Sequence, residues 1–223
     1  MRIAFFVIPS VVAILFLGQF LVSALYETGA FGAEDTRFVW YILIGSAVGL
    51  MAATWGRLYS SAFYALGDTR TPLAFACIRV ILTAGLGILF AFPLRNALTS
   101  TLVSLGFRLP LVPQADLALG AVGLTASAGL AGWFEFLMLK NALEKKIGGC
   151  ALPFAHLFRK WILALSSAAF AFILDLYLGN ELRSWIPAFF PKSAYSLLII
   201  IFFGVMYLAF SFLGEKSGRQ KEK

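Results

Sequence analysis

Residues 62–72 read Ala62-Phe63-Tyr64-Ala65-Leu66-Gly67-Asp68-Thr69-Arg70-Thr71-Pro72, a short polar turn between two long apolar runs. The run on its left reaches back to about Phe38, and the one on its right continues to about Phe92. A glycine such as Gly67 ends a helix well, because it takes the left-handed backbone conformation without steric cost. Asp68 or Thr69 can cap the following helix, and Pro72 suits a first turn whose N–H groups lack partners anyway. The stretch predicts helix, tight turn, helix, with both helices long enough to cross a bilayer.

Working outward, the whole chain has the same character. Its 223 residues are 61% hydrophobic and 13% charged, with a mean hydropathy of +0.88, a balance that excludes an ordinary soluble domain. Six segments supply the roughly 20 apolar residues that a spanning helix needs: 3–25, 38–66, 73–92, 117–139, 161–178 and 194–213. The expected fold is all-α: a polytopic membrane helix bundle with six transmembrane helices. The first segment lacks the basic start and small-residue cleavage site of a signal peptide. Its Pro9 would break a soluble helix, but a membrane bundle tolerates the kink.

Lys and Arg in the loops set the orientation. With residue 1 inside, eleven loop and terminal cations fall inside and five outside: Arg37, Arg95, Arg108, Arg183 and Lys192. Both termini are therefore expected in the cytoplasm. The same loops account for the net charge of +7, so no nucleic-acid partner is implied. Residues 93–116 are expected to form a long outer loop whose Leu102-Val103-Ser104-Leu105 patch lies on the membrane. The inner 140–160 loop carries a separate interfacial helix around residues 152–160. That loop divides the chain into a four-helix part, 1–146, and a part comprising the basic segment and the last helix pair, 147–223. Gly45 and Gly49 on the second helix, and Gly120, Gly123, Ser127 and Ala131 on the fourth, mark close helix packing, with Ala121, Thr125 and Gly129 on an adjacent face. The last two helices show no such stripe and are expected to face lipid.

Cys77, Cys150 and a single His156 give no metal site, disulfide framework or His-based catalysis, so no cofactor and no enzymatic activity are expected. The informative charges lie inside apolar helices, where each is costly and functional or paired. Arg57 shares a small, polar face with Ser46, Gly49, Ala53 and Ser60, expected to point into the bundle. Arg79 shares a stripe with Ala76, Thr83 and Gly87, and Glu135 lies about one turn from the inner end of the fourth helix. The three could meet in one water-filled cavity. There an arginine fork binds phosphate bidentately and stays charged when desolvated. The plainer alternatives are that the arginines snorkel to headgroups, or that Glu135 neutralises one of them. Asp175 reads as an interfacial residue.

The turn Phe63, Tyr64, Gly67, Asp68, Thr69, Arg70, Thr71, Pro72 resembles one found in the MurJ/MviN-type lipid II flippases of the MOP exporter superfamily, on the cytoplasmic side between two membrane helices. The likeness extends to Arg2-Ile3-Ala4-Phe5-Phe6-Val7-Ile8-Pro9-Ser10, to Leu25-Tyr26-Glu27-Thr28-Gly29-Ala30-Phe31, to Val48-Gly49-Leu50 and Arg57, and to Gly120-Ala121-Val122-Gly123-Leu124-Thr125-Ala126-Ser127. It implies the last six helices of a fourteen-helix transporter in the bacterial inner membrane. The final pair would form a groove for the polyprenyl tail. It also implies lipid II as substrate, membrane lipids as surroundings, outward translocation by alternating access, and a role in peptidoglycan synthesis and cell shape. The family's cavity arginines on earlier helices have no counterpart here and are not carried over. The chain is expected to be a fragment or split product that needs an N-terminal half and does not transport alone. The alternatives are another MOP-type transporter, such as a polysaccharide-lipid flippase or drug exporter, or a non-transporting remnant.

Overall fold

The computed structural model describes residues 2–27, 31–92, 100, 104, 115–148, 154–185 and 193–220. Six long helices run through these residues, with no strand among them: α1 (Arg2–Tyr26), α2 (Ala33–Ala65), α3 (Arg70–Ala91), α4 (Ala115–Ile147), α5 (Phe154–Trp185) and α6 (Ser193–Gln220). Each contains a stretch long and apolar enough to cross a membrane.

The helix ends differ from expectation where polar residues extend a span. α2 starts at Ala33 because Asp35 reaches back to the Gly32 N–H (2.9 Å) while the Gly32 carbonyl accepts the Thr36 N–H (3.0 Å). Glu34 and Asp35 also favour the positive end of the helix. α4 begins at Ala115, so Ala115 and Asp116 belong to it and not to the outer loop. It runs on to Ile147, with Lys145 and Lys146 in its last turn and Gly148 at φ +81° beyond it. The separate interfacial helix is corrected: residues 154–160 are the opening turns of α5, which continues to Trp185. Of the expected 93–116 loop, residues 93–99, 101–103 and 105–114 lie outside the described residues, and with them Leu102, Val103 and Leu105 of its apolar patch; so do Cys150, the Thr28-Gly29-Ala30 part of the first outer loop and the side chain of His156.

Contacts group the chain into two compact units, residues 1–40 with 153–223, and residues 41–152. A boundary after residue 146 would place α1 with the helices that follow it, but the contacts place it with α5 and α6. In that first unit, Pro9 cannot donate to the Phe5 carbonyl one turn earlier. The Tyr207 hydroxyl of α6 donates to that carbonyl instead (2.9 Å). The Lys160 ammonium lies 4.8 Å from the centre of the Phe5 ring, and Ser196 donates to the Ser23 hydroxyl (3.0 Å). α5 does carry a small-residue stripe: Ala164, Ser167, Ala168 and Ala171 are all buried.

The second unit is built on close backbone approach. A Cβ on Gly49 would lie 2.6 Å from the Gly129 Cα, and one on Gly45 would lie 3.0 Å from the Val122 carbonyl oxygen. Only glycine permits α2 and α4 to pack so tightly. Across this seam Trp133 donates its indole N–H to the Val48 carbonyl (2.7 Å). Toward the turn lies a core of Ala52, Tyr59, Phe63, Phe136, Leu139 and Leu143, with Trp55 and Trp133 packed against it and edge to face with each other. α3 lies against α4, with Gly87 facing Leu124 and Ser127.

Candidate functional site

The turn between α2 and α3 is closed by two kinds of bond. Gly67 takes φ +74°, and the Asp68 N–H reaches the Phe63 carbonyl while the Gly67 N–H reaches that of Tyr64 (both 3.0 Å). This pairing satisfies the last carbonyls of α2. Asp68 then opens α3. One of its carboxylate oxygens accepts the Thr71 N–H (3.0 Å) and the other accepts the Thr71 hydroxyl (2.7 Å). Thr69 is already helical and its side chain makes no cap, which decides between the two capping candidates. Pro72 is buried in the first turn.

Lys146, from the last turn of α4, completes the arrangement. Its ammonium bonds to the Asp68 carboxylate and sits 5.4 Å from the centre of the Phe63 ring. That bond, followed by those from the Thr71 N–H and hydroxyl, holds the Asp68 carboxyl well below the usual carboxylate range. The motif therefore divides by role. Phe63, Gly67, Asp68, Thr71 and Pro72 make the turn, whereas Tyr64, Thr69 and Arg70 point outward and are exposed. Sequence reasoning missed Lys146, for which the signal was only a cation ending one helix and an acid in a distant turn.

Deeper in the same unit, Arg79 of α3 bonds to Glu135 of α4 through one nitrogen (3.1 Å). The glutamate side chain is the more enclosed, 12% exposed against 39% for the arginine. The arginine therefore presents the open side of the pair. Arg57 is also exposed, on the side of α2 away from Ala52, Tyr59 and Phe63. Of the three candidate charges, the fold joins Arg79 with Glu135, and Arg57 makes no ion pair among the described residues. Asp175, read as interfacial, accepts the hydroxyl of buried Tyr195, and Gly179 leaves the room for that bond. No group of three or more His, Cys, Asp or Glu residues is placed to hold a metal among the described residues.

The comparisons with known proteins agree with this architecture. The family profile described as "Lipid II flippase MurJ" matches residues 1–112. A probable lipid II flippase MurJ from Rhizobium tropici is 27% identical over 166 residues, which is 74% of this chain and 25% of that protein. The lipid II flippase MurJ of Thermosipho africanus (strain TCF52B) is 32% identical over 104 residues, 45% of this chain and 22% of that one. A solved structure titled "Lipid II flippase MurJ, inward closed conformation" superposes with a TM-score of 0.68 at 22% identity, covering 96% of this chain and 37% of its own, and shows the fold. The chain thus spans about a quarter of the length of the curated relatives it matches. With half of its residues inside the family profile and its helices in the family's fold, the chain belongs to the MurJ lipid II flippase family.

Proposed function

We propose that the chain supplies the C-terminal portion of a lipid II flippase and lines part of the path taken by the lipid-linked diphosphate headgroup. The observation that carries this reading is the Arg79–Glu135 pair inside two apolar spans of a family member, with the arginine on its open side. The exposed guanidinium of Arg57, on the face of α2 away from its packed core, supports a second phosphate contact. Both side chains keep their charge when desolvated and offer the forked donors that phosphate oxygens accept. The bias of Lys and Arg toward one set of loops supports cytoplasmic termini and a cytoplasmic α2–α3 turn in the bacterial inner membrane. No bond in the substrate is made or broken. The protein exposes one cavity to each side in turn, which requires a second lobe to rock against. An N-terminal half is accordingly the expected partner.

The test is growth of a flippase-depleted bacterium that expresses residues 1–223 alone, or together with the N-terminal portion of a relative. Rescue is expected only in the pairing, where Arg57→Ala should impair growth more than Arg57→Lys. Rescue by the chain alone would refute the need for a second lobe. Full growth with Arg57→Glu would remove the phosphate role of that arginine.

A further inference from the structure

The ion pair in the second unit is one-sided in a way that bears on how a substrate leaves. Arg79 lies nine residues into α3, counting from Arg70, and Glu135 lies twelve residues before Ile147 on α4. At about 1.5 Å per residue, both sit well inside the apolar spans. A guanidinium has five N–H donors in a planar fork. Here one nitrogen meets one Glu135 oxygen at 3.1 Å, and the rest of the fork finds no partner among the described residues. Glu135, with its side chain 12% exposed against 39% for the arginine, is too enclosed to be the group a ligand meets first. A carboxylate and a phosphate offer a guanidinium the same chemistry, a pair of anionic oxygens.

We propose that Glu135 is a positioning and release residue, an internal anion that holds Arg79 between substrates and competes with the substrate's phosphate for it. This rests on the reading of Arg79 as a phosphate contact. Without the glutamate, an arginine in an apolar span would be uncompensated when empty and would hold a diphosphate too firmly when full. With it, arrival of phosphate exchanges one charge-assisted bond for another, and departure is assisted by the waiting carboxylate. The net charge of the pair is zero when empty, so the empty state does not pull other anions into the membrane.

The protein is purified in mild detergent with any chain that co-purifies, and its affinity is measured for farnesyl diphosphate as probe. Farnesol and inorganic pyrophosphate separate recognition of the prenyl tail from recognition of the phosphates. Glu135→Gln removes the competitor and should tighten farnesyl diphosphate binding on the order of tenfold, the scale of one lost charge-assisted bond. Glu135→Asp retracts the carboxylate by one methylene, disturbs folding less, and should tighten it by a smaller factor. Arg79→Ala should weaken binding, and Arg79→Ala with Glu135→Gln should match Arg79→Ala alone. A merely structural ion pair predicts the reverse for Glu135, with weaker binding as the helices loosen. Glu135 variants that bind no more tightly than the parent, while Arg79→Ala weakens binding, overturn the release role and leave the phosphate contact standing. Arg79→Ala with unchanged binding overturns both.

Discussion

Asp68 holds the turn because its two oxygens serve three donors: the Thr71 N–H, the Thr71 hydroxyl and the Lys146 ammonium. Its carboxyl titrates lower in the fold than in the unfolded chain. The stability it contributes is therefore fully present above the unfolded value near about 4 and is lost as pH falls toward the depressed folded value. Hydrogen exchange at the Thr71 amide, corrected for intrinsic rates, should show level protection from about pH 8 to 5 and falling protection below about 4. Asp68→Asn keeps one accepting oxygen but loses the charge, so protection should drop at neutral pH and the acid dependence should vanish. Protection equal to the parent's would mean that Asp68 is dispensable to the turn. The sequence marked Asp68 and Thr69 equally, since both residue types cap helices. The helical backbone of Thr69, φ −93° and ψ −18°, separates them. Lys146 was not legible at all, because its partner lies 78 residues away and only the α3–α4 packing joins them.

Pairs of helices meet at glycines for a reason that a single substitution can expose. At Gly49 an added methyl would meet the Gly129 Cα at 2.6 Å, an approach that no side-chain rotation relieves. Gly49→Ala should push α2 and α4 apart and destabilise the second unit by about 1–3 kcal/mol, the usual cost of overpacking. Gly56→Ala is the control, because a Cβ there meets nothing within 4 Å. Thermal unfolding in detergent should show a lower transition for Gly49→Ala and none of that loss for Gly56→Ala; equal transitions would dismiss the close seam. This seam was readable from the Gly45 and Gly49 spacing and the small residues of α4, because small residues at helical spacing have few other uses in lipid. The start of α2 was not readable, nor was the continuity of the helix around residues 152–160 with the span that follows it. The first turn of α2 is acidic and resembles a loop until its capping bond is seen, and Arg159 and Lys160 in α5 read as the end of an interfacial helix at the membrane surface.

Six helices among the described residues are long and apolar enough to cross a membrane, and the proposed orientation, resting on the basic-residue bias, has both ends in the cytoplasm. In a chain whose Cys77 and Cys150 are replaced by Ser, cysteines introduced at Thr28 and Lys145 should react with an impermeant thiol reagent from opposite sides, Lys145 only from the cytoplasm. Labelling of both from one side would overturn the assignment. Span number came through from composition alone, because twenty apolar residues in a row have no other home. The grouping of α1 with α5 and α6 did not, since it depends on bonds between the two ends of the sequence. One of these bonds joins the proline-freed Phe5 carbonyl to Tyr207, and it constrains the order in which the sequence can change by descent. A lineage that loses the tyrosine hydroxyl while keeping Pro9 strands a carbonyl among apolar helices, at about 1–3 kcal/mol. A lineage that loses Pro9 first regains the helical bond and leaves Tyr207 free to drift. The tyrosine can therefore outlive the proline in an ancestry, whereas the proline cannot cheaply outlive the tyrosine.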